Sequence, residues 1–185
     1  MAEVRGTVWL TLCDYLRQRF GPDALDPVIS RLTAADAEVL RRKILPVSWL
    51  DYGLYTRFLI AADDALGKGD RVLIRDAAVH HARKDMHGVY RMFMRVATPG
   101  FLLRRAPLMW KLMINRGELR VVHHTARSVD LEITDIDAMP PHHELDELPF
   151  IEEIARMAGA KNVRCTHPKC LARGDDICRY AVVWE

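Results

Sequence analysis

Apolar residues recur at helical spacing along the first 116 positions and alternate with polar ones along the rest of the chain. Over residues 4–20, Val8, Leu12, Tyr15 and Leu16 share a face, with Trp9, Cys13 and Phe20 beside them, and Gly21-Pro22 ends the helix. A shorter helix is expected over 23–32, with Pro27 in its first turns. Thr33 stands where an N-cap is needed for a helix over 34–44, which Pro46 stops. Ser48 is the expected cap of the next helix, whose Trp49, Tyr52, Tyr55, Phe58 and Leu59 form a broad apolar face and which Gly67-Lys68-Gly69 closes. A long helical stretch follows over 70–97, with a break expected near His87-Gly88. After the turn Thr98-Pro99-Gly100, a last helix runs over 101–116, with Pro107 as a kink or break.

The period then changes to two. Leu119, Val121 and His123 alternate with Arg120, Val122 and His124, and beyond Ala126-Arg127-Ser128 the alternation resumes from Val129 to Ile136. Pro140-Pro141 breaks the chain, residues 150–157 form a short amphipathic helix ended by Gly159, and two strands close the sequence. One begins at Val163, Cys165 and His167; the other carries Cys178, Tyr180, Val182 and Trp184. The expectation is a single α+β domain over residues 1–185, mainly helical over 1–116 and β-β-α-β-β over 117–185, on a small antiparallel sheet.

Composition supports a folded core, because half of the residues are hydrophobic (50%). No apolar run approaches the roughly 18 residues that span a bilayer. The opening segment, interrupted by Glu3, Arg5 and Asp14, does not read as a signal peptide. With four cysteines and no export signal, a reducing, cytoplasmic setting is expected, where thiols pack or bind metal. The net charge of +2 conceals a segregation: residues 71–116 carry ten Lys/Arg against two acids, and 117–160 ten acids against three arginines. Basic stretches attract nucleic acid or anionic membranes. Here no basic run exceeds two residues, so mutual neutralisation is the expected arrangement and nucleic acid is not an expected partner.

The densest chemistry lies in the last strand pair. Cys170 and Cys178 are separated by seven residues that include the turn Arg173-Gly174-Asp175-Asp176, so a hairpin there would bring both thiols to one point. His167 lies three residues before Cys170, and Cys165 two before that. Thiolates and imidazole around one turn suit a tetrahedral zinc site, with Zn–S of about 2.3 Å and Zn–N of about 2.0 Å. The alternative is two packed cysteines beside a turn; a Cys170–Cys178 disulfide fits the geometry but not the compartment. His142 and His143, followed by Glu144, stand just before the short helix. If that helix crosses the sheet, His143 is the leading further ligand.

The run from Cys170 through Gly174-Asp175 to Cys178-Arg179-Tyr180, entering an apolar strand, resembles the 4-vinyl-reductase domain family, as does the order of elements. That family is similar in fold to haem nitric-oxide-binding domains and to subunits of the vesicle-tethering transport particle. It includes a subunit linked to bacteriochlorophyll 4-vinyl reduction and the effector domains of aromatic-responsive sigma-54 activators. The resemblance covers most of the chain by architecture but only the C-terminal hairpin by motif. In the aromatic-sensing relatives a zinc is held by a cysteine before the short helix, an acid three residues ahead of the hairpin, and both hairpin cysteines. The resemblance places the pair on Cys170 and Cys178, the acid on His167, and the early cysteine near residues 142–144. In both departures one ligand-capable group replaces another, and Cys165, sharing strand parity with His167, is the reserve ligand.

Trp49, Tyr52, Tyr55 and Phe58 on one helix, Tyr90 and Phe93 on a second, and Trp110 and Met113 on a third could line an apolar pocket for a small hydrophobic or aromatic molecule. Ordinary core packing is the competing account of each. His80, His81 and His87 offer imidazoles, but the Tyr-x-Ser-x-Arg propionate clamp of the haem nitric-oxide-binding family is missing, so haem is not expected. Cys13 reads as core and Asp63-Asp64 as a solvated helix end. No nucleophile elbow, phosphate loop, dinucleotide fingerprint or HExxH is present, which argues against an enzyme. The leading expectation is a small-molecule sensor or binding module with a structural zinc, signalling through a homodimer or partner protein. The alternatives are an accessory subunit of a tetrapyrrole enzyme and a dimerising scaffold.

Overall fold

In the computed structural model, which describes residues 1–87, 98–137 and 142–185, the chain opens with a strand rather than a helix. Strand β1 (Glu3–Arg5) pairs antiparallel with β2 (Trp49–Asp51), and Val4, 1% exposed, bridges onward to Ile114. Strands of three residues are too short to display an alternation, so the sequence hid them inside the flanking helical patterns. Helix α1 (Gly6–Phe20) therefore starts at Gly6, where a Cβ would lie 2.0 Å from the Leu45 carbonyl oxygen. Only glycine allows that approach, and the Gly6 amide uses it to donate to the Ser48 carbonyl at 2.8 Å.

Helices α2 (Leu25–Ile29) and α3 (Ala34–Arg41) follow, the second capped by Thr33, whose hydroxyl accepts from the Asp36 amide at 3.2 Å. Helix α4 (Tyr52–Leu66) starts later than expected and is capped by Asp51, not Ser48; the Asp51 carboxylate accepts from the Leu54 amide at 2.6 Å. Trp49 thus sits in a strand, half-buried, under the Arg5 guanidinium at 4.8 Å. Asp63 is not solvated either. It is fully buried and accepts from the amides of Arg71 at 2.9 Å and Leu73 at 3.3 Å, at the start of α5 (Val72–His87). The first amides of a helix have no partner within it, and Asp63 supplies one from the preceding helix. The expected helix over 101–116 is two, α6 (Pro99–Leu103) and α7 (Ala106–Met113), with Pro107 in the first turn of the second.

The C-terminal sheet has the order β3-β4-β6-β5, all antiparallel, from β3 (Glu118–His124), β4 (Ser128–Thr134), β5 (Arg164–Lys169) and β6 (Cys178–Val183). Helix α8 (Glu147–Met157) lies between β4 and β5 in sequence, so the expected β-β-α-β-β order and α+β class hold. Val129, Leu131 and Ile133 on β4 and Cys178, Tyr180 and Val182 on β6 are fully buried, the alternation of a sheet with one covered face. They join Phe150, Ile151 and Ile154 of α8 and the helical residues in one continuous apolar cluster. Within it Trp9 stands 5.2 Å from Tyr55 and 5.6 Å from Phe58, and Cys13 is buried as expected. Arg83 and Glu153, at 2.7 Å, pair the basic and acidic segments directly. No helix among the described residues is long and apolar enough to cross a membrane.

Candidate metal centre

The hairpin between β5 and β6 is held by its own backbone. After a register shift between Thr166 and Lys169, the chain makes a single 3₁₀ turn over Leu171–Arg173 and reverses through Gly174, at φ 91°. That left-handed conformation favours glycine. The Asp175 carboxylate accepts from the Cys170 amide at 2.7 Å, and the Leu171 amide donates to Cys178 Sγ at 3.4 Å. The two sulfurs end 4.0 Å apart, both buried, with both thiols free.

A third ligand arrives on the π-helical turn His142–Asp146 that precedes α8. Such widened turns concentrate at functional sites because they re-aim side chains. His143 is fully buried, with Nδ1 3.2 Å from Cys178 Sγ and 3.9 Å from Cys170 Sγ, and the three ligand atoms lie within 4.8 Å of one another. A tetrahedral zinc would set sulfurs about 3.8 Å apart and sulfur and nitrogen about 3.6 Å apart. The arrangement matches that spacing to within a few tenths of an ångström. Tyr180 donates from its hydroxyl to the His143 carbonyl at 3.1 Å, and Arg173 ties the hairpin to Glu144 of the turn and to the His167 carbonyl.

Protonation suits the same use. Burial, followed by the neighbouring His167, lowers the His143 pKa to about 4, so its imidazole is neutral and can bind a metal without losing a proton. Burial pushes the Cys178 thiol up to about 12, so without a cation it stays protonated. His167 lies outside the group of three but beside it. Its ring stacks on Tyr180 at 4.3 Å and stands 6.2 Å from the His143 ring, and both its nitrogens are buried with no hydrogen-bond partner. Cys165 is not brought to the group. Its amide donates to Glu152 of α8 at 2.9 Å, and burial, then Glu152 and Glu147, raises its thiol pKa.

The other side of the turn carries different chemistry. His142 shares a hydrogen bond through Nδ1 with the Tyr52 hydroxyl, and its Nε2 lies 3.3 Å from Asp146 and 3.4 Å from Glu147. The Tyr55 hydroxyl donates to Asp146 at 3.3 Å. Burial drives the His142 pKa well down, the Asp146 carboxyl up to about 6 and the Glu147 carboxyl up to about 8. His142 and Glu147 therefore favour their neutral forms near neutral pH, whereas Asp146 is mostly ionised there. His142, Asp146 and Glu147 line a cavity of about 20 Å³ with His81, Val4, Val8, Met113, Ile114 and Phe150. A second, of about 30 Å³, is lined by Trp110, Met113, Glu147, Phe150 and apolar neighbours.

Of the residues expected to line a pocket, Trp110 and Met113 do so, whereas Tyr52 and Tyr55 face the turn through their hydroxyls. Phe58 packs on Trp9, and Trp49 lies on β2; Tyr90 and Phe93 lie outside the described residues. Asp146 and Glu147 were not singled out from sequence, and Tyr180 was read only as part of the strand and its motif. The spacing of the two acids carries no motif, and only the packing of the turn against α4 and β6 gives them a role.

No protein-family model and no curated protein matches the sequence. The structure, however, superposes along nearly its whole length on H-NOX domains. An H-NOX protein from S. oneidensis in the Fe(II)NO state aligns with a TM-score of 0.74 at 9% identity, over 98% of this chain and 99% of that one. An oxygen-binding H-NOX domain related to soluble guanylate cyclases gives 0.68 at 13% identity, over 98% and 95%. A structure from work on haem distortion in the H-NOX family gives 0.71 at 13% identity, over 98% and 95%. The chain has the H-NOX fold. The fold implied by the resemblance is thereby supported, while membership of the 4-vinyl-reductase family is not shown. The expectation against haem is overturned: it rested on a missing clamp motif, and the fold proves to be one whose solved neighbours include haem proteins.

Proposed function

We propose that this protein is a small-molecule sensor or binding module whose C-terminal sheet is stapled by a zinc ion held by His143, Cys170, Cys178 and His167, in a hairpin of the 4-vinyl-reductase type. The observation that carries this is the convergence of three buried ligand atoms within 4.8 Å, beside an imidazole whose two nitrogens make no hydrogen bond among the described residues. Movement of the His167 ring toward the group would complete an S₂N₂ set and satisfy a nitrogen that now makes no hydrogen bond. The zinc would supply rigidity, since its four ligands leave no open position for substrate. The residues do the rest: the Leu171 amide supports the Cys178 thiolate, and Tyr180 fixes the turn that presents His143. Output would pass through a second copy or a partner protein.

Cobalt(II) titration of chelator-stripped, reduced protein tests the site. Tetrahedral thiolate-bound cobalt gives strong visible and charge-transfer bands, lost on adding zinc. Absence of those bands with folded protein present would contradict the proposal. The haem-bearing neighbours support a second reading, in which a haem in the cleft confers gas sensing. His81 and His142, both buried and both lining the first cavity, are the imidazoles that could face such a group, and His81 is the one outside the turn. The two cavities as they stand hold only a few water volumes, so admitting a macrocycle would require the walls at Met113 and Phe150 to part. A Soret band in protein purified with haem supplied, removed by His81→Ala, would establish that reading.

A further inference from the structure

The two cavities are lined in common by Met113, Glu147 and Phe150, so they abut. Their linings differ. Among the described residues Glu147 is the only acid or base lining the larger one, whereas the smaller is also lined by His142, Asp146 and His81. A buried acid, Asp146, and a half-buried one, Glu147, therefore line an otherwise largely apolar chamber. Among the described residues neither acid pairs with a lysine or arginine; their ion-pair contacts run to His142. Burying carboxyl groups without a cation is costly, and a ligand that brings the cation removes that cost. The partition between the cavities includes the thioether of Met113, half-buried at the end of α7 and readily repacked.

We propose that these cavities are two ends of one site for a small primary amine, its ammonium group held by Glu147 and Asp146 and its apolar body lodged against Trp110 and Phe150 once Met113 turns aside. This rests on the binding-module reading above and names the ligand class. A carboxylate or phosphate would set a second anion beside Asp146 with no cation to offset it, which disfavours fatty acids. The ammonium would touch Asp146, at the end of the turn that also carries His143, so occupancy would bear on the metal centre through that turn.

The test is calorimetric titration of the zinc-loaded full chain with 2-phenylethylamine, 2-phenylethanol and phenylacetate. A charge-assisted hydrogen bond in a buried site corresponds to roughly tenfold to a hundredfold in affinity. The amine should bind saturably and at least about tenfold more tightly than the alcohol, with phenylacetate weakest. Glu147→Gln should erase the preference for the amine over the alcohol. Met113→Ala, which opens the partition and leaves the acids intact, should keep it and tighten binding of both, and it serves if the Glu147 variant does not fold. Equal binding of phenylacetate, or no amine binding by either wild type or Met113→Ala, would overturn the inference. A protein that holds one zinc per chain and fails this series loses only the amine site; one that selects the amine without holding zinc loses only the metal centre.

Discussion

His142 and His143 are adjacent in the chain yet serve two different sites: His143 Nδ1 lies 3.2 Å from Cys178 Sγ, while His142 Nδ1 shares a hydrogen bond with the Tyr52 hydroxyl. The π-helical turn carries both, presenting one ring to the hairpin thiols and the other to α4. Their rings stand 6.0 Å apart. The turn is thus a hinge point between the hairpin and the buried acids.

If the hairpin thiols hold metal, Cys178→Ser should cost more stability than Cys13→Ser. Losing a ligand removes binding energy that is folding energy, whereas a serine in the Cys13 position costs on the order of 1–3 kcal/mol. Thermal unfolding of the two variants, each with zinc present, decides it. Comparable losses would mean that the hairpin thiols only pack.

The fourth ligand can be separated from its near neighbour. His167→Ala should weaken zinc affinity by at least about a hundredfold while the three remaining ligands retain some metal, and Cys165→Ala should leave affinity unchanged. Competition with a chromophoric chelator measures both. A loss on changing Cys165 and none on changing His167 would exchange their roles.

Glu147 sets a pH dependence of known sign. Burial, then Asp146, raises its pKa from 4.5 to about 8, so the folded state holds a proton that the unfolded state releases across that window. Stability therefore falls as pH rises from about 5 to 8, by up to roughly 1.4 kcal/mol per unit. Glu147→Gln cannot lose a proton and should flatten the slope. Denaturant unfolding of both proteins at pH 5.5 and pH 8, in matched buffers, reads the difference; parallel slopes would contradict the assignment.

Asp63 offers a test of the fold rather than of the site. Its carboxylate serves the amides of Arg71 and Leu73 from a fully buried position, so Asp63→Ala should destabilise by about 1–3 kcal/mol. Asp63→Asn, which keeps one acceptor oxygen, should recover part of that loss.

What the sequence disclosed follows from range. The succession of strands and helix, the hairpin pair and the cap at Thr33 depend on residues close together in the chain, and alternation or spacing exposes them. Cys170 and Cys178 were legible as a pair because a turn of seven residues leaves them nowhere else to go. The acids at Asp146 and Glu147 were not, since their burial depends on α4 and the segment around Ile114, many residues away. Asp63 misled for the same reason: a carboxylate beside another at a helix end looks solvated until the next helix needs a cap. Haem was excluded on a short motif, although the fold is set by core packing that tolerates almost complete change of sequence.

The central claim, that His143, Cys170 and Cys178 form a metal centre with His167, is tested most directly by counting metal. Protein expressed with zinc supplementation and purified without chelators should contain about one zinc per chain by elemental analysis, and Cys170→Ser with Cys178→Ser should contain none. Less than about a tenth of an equivalent in the folded wild-type protein would contradict it.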